Sequence, residues 1–322
     1  MQFSGPVLVT GGAGFIGSHI VDKLTDKGIE VKALDNLATG KISNLSKSKD
    51  KKTFNFIKED LSNIKEVNHS LKDIKVVFHM AADPEVRTGF VDPGSSYREN
   101  VRNTFYLLEE IRKSNIEKLV FASSSAVYGD AKILPTPEDY GPLLPISAYG
   151  ASKLACEAYV SSYCNNYGIK GCIVRPANVI GARGRHGVTW DFVNKLKKNN
   201  EKLEVLGDGT QTKSYIHISD AIDGILTTLN STEKIGVFNL GSEDKIKVIE
   251  IAKIVCKNMN LSNTKIITTG GIDGGRGWKG DIKEAYLDIS KLKNLGWSPR
   301  LSSTDSVELA SKEIIGDITS NS

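Results

Sequence analysis

The run Tyr149-Gly150-Ala151-Ser152-Lys153 holds the residue types and the spacing for proton transfer beside a charged ligand. On a helix, positions i and i+4 share a face, so the Tyr149 phenol and the Lys153 ammonium can point at one molecule. A nearby cation and a cationic ring on the ligand both favour phenolate, drawing a tyrosine pKa from ~10 toward neutrality. A fall of about three pH units corresponds to about 4 kcal/mol of differential stabilisation. The second run with chemical meaning is Gly11-Gly12-Ala13-Gly14-Phe15-Ile16-Gly17. Gly11 permits a tight turn, Gly14 lets the backbone approach a pyrophosphate, and Gly17 lets helix and strand pack closely. Backbone N–H groups at the helix start would then face the phosphates.

These residues need a scaffold, and the pattern of the first half supplies one. Short apolar runs at Pro6–Val9, Glu30–Leu34, Phe54–Ile57, Val76–His79, Leu119–Ala122 and Gly171–Val174 read as strands. Helical stretches are predicted at Phe15–Lys27, Tyr97–Ser114 and Ser147–Tyr167. Alternation of this kind predicts an α/β fold, a doubly wound parallel Rossmann sheet. The glycine run thus follows a strand and opens a helix, the context such a motif requires. Asp35 ends the second strand, where a carboxylate accepts from the adenosine ribose hydroxyls and repels a 2′-phosphate. Its neighbours are Leu34, Asn36 and Leu37, with no arginine, so NAD is expected over NADP. Asp60-Leu61, at the end of the third strand, can hold the adenine edge or cap a helix start.

After Arg175-Pro176 glycines interrupt the chain, and helices are predicted near Thr189–Lys198, Ser219–Leu229, Val248–Met259 and Thr304–Ile315. The division expected is an NAD-binding domain over 1–176 and a smaller C-terminal substrate-binding lobe over 177–322, with part of 210–242 returning to the sheet. Such a lobe covers the carboxyl edge of the sheet, where open α/β folds bind ligands. The tail after Ile315 is expected to fray.

Bulk composition excludes several classes. The 322 residues are 39% hydrophobic and 25% charged with a net charge of +4, ordinary for a soluble globular protein. Nothing points to nucleic acid or membrane as partner. The basic run Lys47–Lys52 reads as a solvated loop, with an anionic partner as the alternative. The four cysteines, Cys156, Cys164, Cys172 and Cys256, lack metal spacing, and no metal is expected. Reduced, buried thiols and a cytoplasmic location are the expectation. His19, His69 and His186 read as isolated, Arg87 and Arg183 as surface pairs or anion contacts, and Trp190, Trp278 and Trp297 as core.

With these motifs in place, the chain resembles the extended short-chain dehydrogenase/reductase family, and within it the nucleotide-sugar 4-epimerases. The resemblance rests on Thr10–Gly17, His79-Met80-Ala81-Ala82, Ser123-Ser124-Ser125-Ala126-Val127-Tyr128-Gly129, the Tyr149/Lys153 pair and Tyr215-Ile216-His217, in family order. The Gly-x-x-Gly-x-x-Gly spacing is characteristic of that family. It implies that Tyr149 is the acid/base, that Lys153 binds the nicotinamide ribose, and that Ser124 bonds the reacting hydroxyl. It implies further NAD contacts at Gly11, Gly14, Phe15, Ile16, Gly17, Asp35, Asn36, Asp60, Leu61, Ala81, Ala82, Asn100, Tyr149, Lys153 and Pro176. A homodimer formed through the two long helices of the sheet domain is implied as well, whereas His217 is expected to be structural.

The same resemblance narrows the reaction. Relatives that eliminate water read Thr-Asp-Glu before Val-Tyr-Gly, and their carboxyl groups supply the extra proton transfers. Here those places hold Ser124, Ser125 and Ala126. Reversible oxidation of one sugar hydroxyl remains, which favours UDP-glucose 4-epimerase chemistry on a UDP-sugar. A nucleotide-sugar ketoreductase is the runner-up, and a non-catalytic NAD-binding sensor the alternative from another class. Substrate contacts implied are Ser124, Ser125, Tyr149, Asn178, Lys213, Arg276, Asp281 and Ala285. Lys213 stands where many relatives carry a phosphate-binding arginine, and Arg276 lies two residues before the arginine of their Arg-x-Gly-Asp motif. Asp281 would bind ribose or shape a turn. Ala285 falls where hexose-restricted relatives carry a bulky tyrosine, so it could admit an N-acetyl group or simply pack.

Overall fold

The computed structural model describes residues 5–86 and 91–319. Its central sheet has seven strands in the order Ile235–Leu240, Lys170–Pro176, Lys118–Ala122, Val76–His79, Val7–Thr10, Val31–Asp35 and Phe54–Lys58. The pairings from Lys170–Pro176 across to Phe54–Lys58 are all parallel. A parallel sheet is covered on both faces, which is why its strands are continuous apolar runs. Val7, Leu8 and Val9 are 0% exposed, for example. One face packs against the helices Asn103–Ile111 and Ala148–Tyr167, with Leu8, Val77, Leu119, Phe121 and Ile173 meeting Leu107, Ile111, Val160 and Cys164.

The chain divides into two compact units. The first comprises residues up to Val127, Ser147–Arg175 and Ile225–Phe238; the second comprises Tyr128–Ile146, Pro176–Gly224 and Asn239–Ser322. In the second unit, helices Val188–Lys198, Val248–Asn258 and Ser303–Thr319 enclose a separate core of Phe192, Val193, Leu196, Ile251, Val255, Val307 and Ile314. The last helix runs to Thr319, past the predicted fraying point, because Ile314, Ile315 and Ile318 pack on that core.

One predicted helix differs in kind. The segment expected as continuous from Tyr97 to Ser114 is a π-helical turn, Tyr97–Arg102, followed by the α-helix Asn103–Ile111. Such turns re-aim a side chain at the cost of weaker helix geometry and recur at functional sites. Here the turn carries Asn100, which is 1% exposed.

Among the described residues no helix is long and apolar enough to cross a membrane, and no cluster could hold a metal ion. The four cysteines are free and buried. Lys47 and Lys51 of the basic run both pair with Asp26, holding its carboxyl down at about 2. His217 bonds Ser219 and Glu313, in a structural role, and Trp297 is buried with its indole N–H donating to the Asp220 carbonyl. Arg87 lies outside the described residues.

Candidate active site

The strand Val7–Thr10 hands over to the helix Phe15–Thr25 through a tight turn that has no room for a side chain at Gly11 or Gly12. Gly11 has φ +64°, and a Cβ there would lie 2.7 Å from the Ala81 nitrogen. A Cβ on Gly17 would lie 2.1 Å from the Gly11 carbonyl oxygen, so the helix start sits directly on the turn. The first N–H groups of a helix have no intrahelical acceptor, and Phe15, Ile16 and Gly17 present theirs at this point.

Asp35 closes the other side. Its carboxylate accepts from the Ala13 N–H at 3.0 Å and the Leu37 N–H at 2.7 Å, which fixes its orientation. Asn36 donates to Asp60 at 2.6 Å, and Asp60 also accepts from the Ser62 backbone and hydroxyl. The cap of the following helix is Asn63, so Asp60 forms a turn there and does not cap the helix. Leu61 buries its side chain in the sheet core. A turn with no room for a Cβ at Gly11 or Gly17, the helix start that faces it and a fixed carboxylate fit a dinucleotide without a 2′-phosphate.

The loop after Val76–His79 carries Ala81 and Ala82. His79 bonds Thr10 at 2.7 Å and Thr104 at 2.9 Å, and burial holds its imidazole down at about 3. Asn100 accepts from the Asp83 N–H at 2.8 Å and donates to the Asp83 carbonyl and, at 2.9 Å, to Ser152. Its amide is engaged within the protein, so it ties the Ala81–Asp83 loop to the helix of Tyr149.

That helix, Ala148–Tyr167, starts where it does because the Ser147 hydroxyl accepts from the Gly150 N–H at 3.0 Å. Tyr149 therefore stands in the first turn, with Lys153 below it. The Lys153 ammonium donates to the Ala122 carbonyl at 2.8 Å and lies 6.0 Å from the Tyr149 ring centroid. Ser124 hydrogen-bonds the phenol and favours its ionised form. Burial outweighs that help: the phenol is pushed up to about 12, and the ammonium is drawn down to about 8. The expected fall of the phenol toward neutrality counts on Lys153 and a bound cationic nicotinamide together; in the protein by itself desolvation disfavours both charged forms. Ser125 opens the short turn Ser125–Tyr128.

The second unit assembles most of the other predicted residues. Lys213 lies in the strand Thr212–Lys213, between Ile246–Lys247 and Glu284–Ala285, directly beside Ala285. Its ammonium reaches Asp281 at 2.7 Å and lies 5.7 Å from the Trp278 ring centroid. Asp281 is 3% exposed and accepts from the Gly277 N–H at 3.0 Å, a turn-forming role. Arg276 forms a two-pronged pair with Asp130, at 3.0 and 2.9 Å, and donates to the Asp281 carbonyl. Asn178 donates to the Ser214 carbonyl, next to Lys213, at 3.0 Å. Sequence reasoning passed over Asp130, and also Gln211, whose buried side-chain oxygen has no hydrogen-bond partner in the protein. No spacing rule marks either residue.

Comparison with known proteins gives a consistent result. A family model described as the NAD dependent epimerase/dehydratase family matches residues 7–241. The chain is 37% identical over 302 residues to a putative UDP-glucose 4-epimerase of Methanocaldococcus jannaschii, covering 92% of this chain and 93% of that protein. The structure of a UDP-N-acetylglucosamine 4-epimerase from Methanobrevibacter ruminantium, in complex with UDP-N-acetylmuramic acid, covers 100% of both chains with a TM-score of 0.88 and 30% identity. That of a UDP-glucuronic acid 4-epimerase from Bacillus cereus, in complex with UDP-glucuronic acid and NAD, covers 96% and 98% with a TM-score of 0.86 and 32% identity.

The fixed carboxylate of Asp35 generates a direct test. Like charges in contact cost several kcal/mol, so the dinucleotide lacking a 2′-phosphate should bind at least about tenfold more tightly than the phosphorylated form. A binding titration giving equal affinities would remove the role assigned to Asp35.

Proposed function

The chain belongs to the NAD dependent epimerase/dehydratase family, and on that premise we propose that it is a UDP-sugar 4-epimerase that uses NAD. The observation that carries this reading is the Tyr149–Ser124–Lys153 cluster, in a stretch where Ser125 and Ala126 bring no carboxyl group. One acid/base beside a cofactor suffices for oxidation and re-reduction of a single carbon, whereas elimination of water needs further proton carriers. Bound at the glycine turn and Asp35, NAD would accept and return the C4 hydrogen with its electron pair, its cationic ring favouring phenolate at Tyr149.

The protein's own part is proton transfer and orientation. Tyr149, as phenolate, takes the proton of the C4 hydroxyl while Ser124 holds that oxygen. Lys153 keeps positive charge beside the phenol and a donor for the ribose. The 4-keto sugar turns about its link to the pyrophosphate, and Tyr149 returns the proton to the opposite face. Lys213, Arg276 and Asn178 supply the nucleotide anchor, with the diphosphate replacing Asp130 on Arg276. Lysine at position 213 keeps the charge without the planar fork of arginine.

Two finer proposals accompany this. Ala285 pairs with Lys213, and its small side chain would leave room at the sugar, so glucose, galactose and their N-acetylated counterparts are proposed as substrates. The sheet unit forms a homodimer through helices Asn103–Ile111 and Ala148–Tyr167. Supporting that, Phe105 packs edge-on against Tyr159 at 5.6 Å, and Tyr159 and Tyr167 remain 42% and 50% exposed. An exposed aromatic face of this kind is a common mark of an interaction surface.

Tyr149→Phe should lower turnover by about 10²–10⁴-fold while leaving NAD bound, read by a coupled UDP-galactose assay and a binding titration. Wild-type activity in that variant would sink the mechanism, and stoichiometric NADH in the wild type would favour a ketoreductase. Ala285→Tyr should depress activity on UDP-N-acetylgalactosamine far more than on UDP-galactose, because packed interiors have little slack. An equal fall on both, or no wild-type activity on the acetylated sugar, would show that Ala285 is not the gate. Sedimentation should give twice the 35.0 kDa chain mass, and a monomer at micromolar concentration would refute the dimer.

A further inference from the structure

Ser123, Glu157 and Arg175 carry no role in the reading above, yet they form a buried polar cluster in the sheet unit. They are 3%, 5% and 4% exposed. The Glu157 carboxylate accepts from the Ser123 hydroxyl and from Arg175 through Nε at 2.9 Å and Nη2 at 2.7 Å. Three elements meet there: the chain leaving the strand Lys118–Ala122, the helix Ala148–Tyr167 and the strand Lys170–Pro176. Glu157 lies one turn beyond Lys153 and two beyond Tyr149, continuing the same i, i+4 face. Ser123 directly precedes Ser124.

A buried ion pair adds little stability over well-packed apolar residues, because desolvating both charges offsets their attraction. What it does add is geometry, since the guanidinium fork fixes the carboxylate in its plane. We propose that Glu157 and Arg175 are positioning residues of the reaction centre: they lock Ser123, and through it Ser124, and they set the charge that Lys153 faces. The consequence for turnover rests on the epimerase reading; the effect on Lys153 does not.

The groups around Lys153 explain why Glu157 has this influence. Its ammonium meets the Ala122 carbonyl and lies 5.0 Å from the Phe121 ring centroid. From its own helix it faces Tyr149, Cys156 and Glu157, and from the neighbouring strand His79; Asp83 acts on Tyr149. Burial keeps the Tyr149 phenol and the Cys156 thiol protonated, and His79 neutral. Glu157, paired with Arg175, is the carboxylate that acts on Lys153. It opposes the burial that draws Lys153 down to about 8.

Removing either partner breaks the same pair, so a merely structural role predicts similar destabilisation and nothing more. A charge-setting role predicts opposite effects on Lys153. In the full chain carrying ¹³C-labelled lysine, the Lys153 Cε resonance is identified by its loss in Lys153→Met, then titrated. Glu157→Gln should move its midpoint about one pH unit lower, because an anion is lost while the Arg175 cation remains. Arg175→Met should move it higher, because the carboxylate is no longer shared. If either single variant fails to fold, Glu157→Gln/Arg175→Met leaves no unpaired buried charge, and Lys153 should then titrate below its wild-type midpoint. The alkaline limb of kcat/KM should follow each midpoint. Shifts in one direction for both single variants, or a wild-type midpoint in the double variant, would overturn the proposal. No turnover in wild-type protein would overturn the epimerase reading alone, since the titration needs no substrate.

Discussion

Desolvation of Tyr149 and Lys153 is the constraint on which the rest of this structure turns. Both sit where water is largely excluded, and burial disfavours the charged form of each, raising the phenol to about 12 and lowering the ammonium to about 8. At neutral pH that is a protonated phenol beside a largely charged ammonium, so the phenol still needs support to release its proton. Neighbouring groups already limit both displacements. Ser124 favours the phenolate through a hydrogen bond, and the Glu157 carboxylate opposes the desolvation of the ammonium, while a cationic cofactor ring would add to the pull on the phenol. A dry site makes such fixed dipoles and charges effective, because no solvent screens them.

Charges placed this way have value only if their positions hold, and the fold secures them from several directions. The Ser147 cap fixes where the catalytic helix begins, hence which turn carries Tyr149. Asn100, presented by the π turn, ties that helix through Ser152 to the backbone of Asp83. Thr10 links the glycine turn to the next strand end through His79 and the Ala81 N–H. Gly11 then meets Ala81 with no room for a side chain, so cofactor loop and sheet edge form one surface. Stability and function are argued from the same contacts here: the parallel sheet buries the strands, and the polar groups at their carboxyl ends are satisfied by the loops that make the site.

How much of this was legible in the sequence depends on the range of the interaction. Periodicity and local spacing are short-range, and they located the strands, the glycine turn, Asp35 and the Tyr149/Lys153 face. The π turn escaped, because Tyr97–Ile111 has an ordinary helical pattern and its distortion comes from Asn100 reaching residues distant in sequence. The end of the last helix escaped for the same reason: Ile314, Ile315 and Ile318 are held by a core formed from remote helices. Asp60 was read with two meanings, and the observed cap at Asn63, with Asp60 accepting from Ser62, separates a turn from a helix cap.

Charge state was the least legible property of all. The motif Tyr-x-x-x-Lys states which groups meet, and it says nothing about how dry their surroundings are, so the sign of the Tyr149 displacement could not be read from it. Partner choice has the same character. Arg276 was expected to face phosphate, yet in the protein its fork is matched by Asp130, far along the chain, and Lys213 rests on Asp281. Such pairings follow from a cation's need to keep an anion beside it once it leaves water. Were Arg276 and Lys213 to hold a diphosphate, as proposed, exposed Asp130 would be a more readily displaced partner than buried Asp281. The local motif thus names the groups that meet, while carboxylates remote in sequence, Asp130 and Asp281 beside the cations and Glu157 beside Lys153, are what the tertiary fold adds.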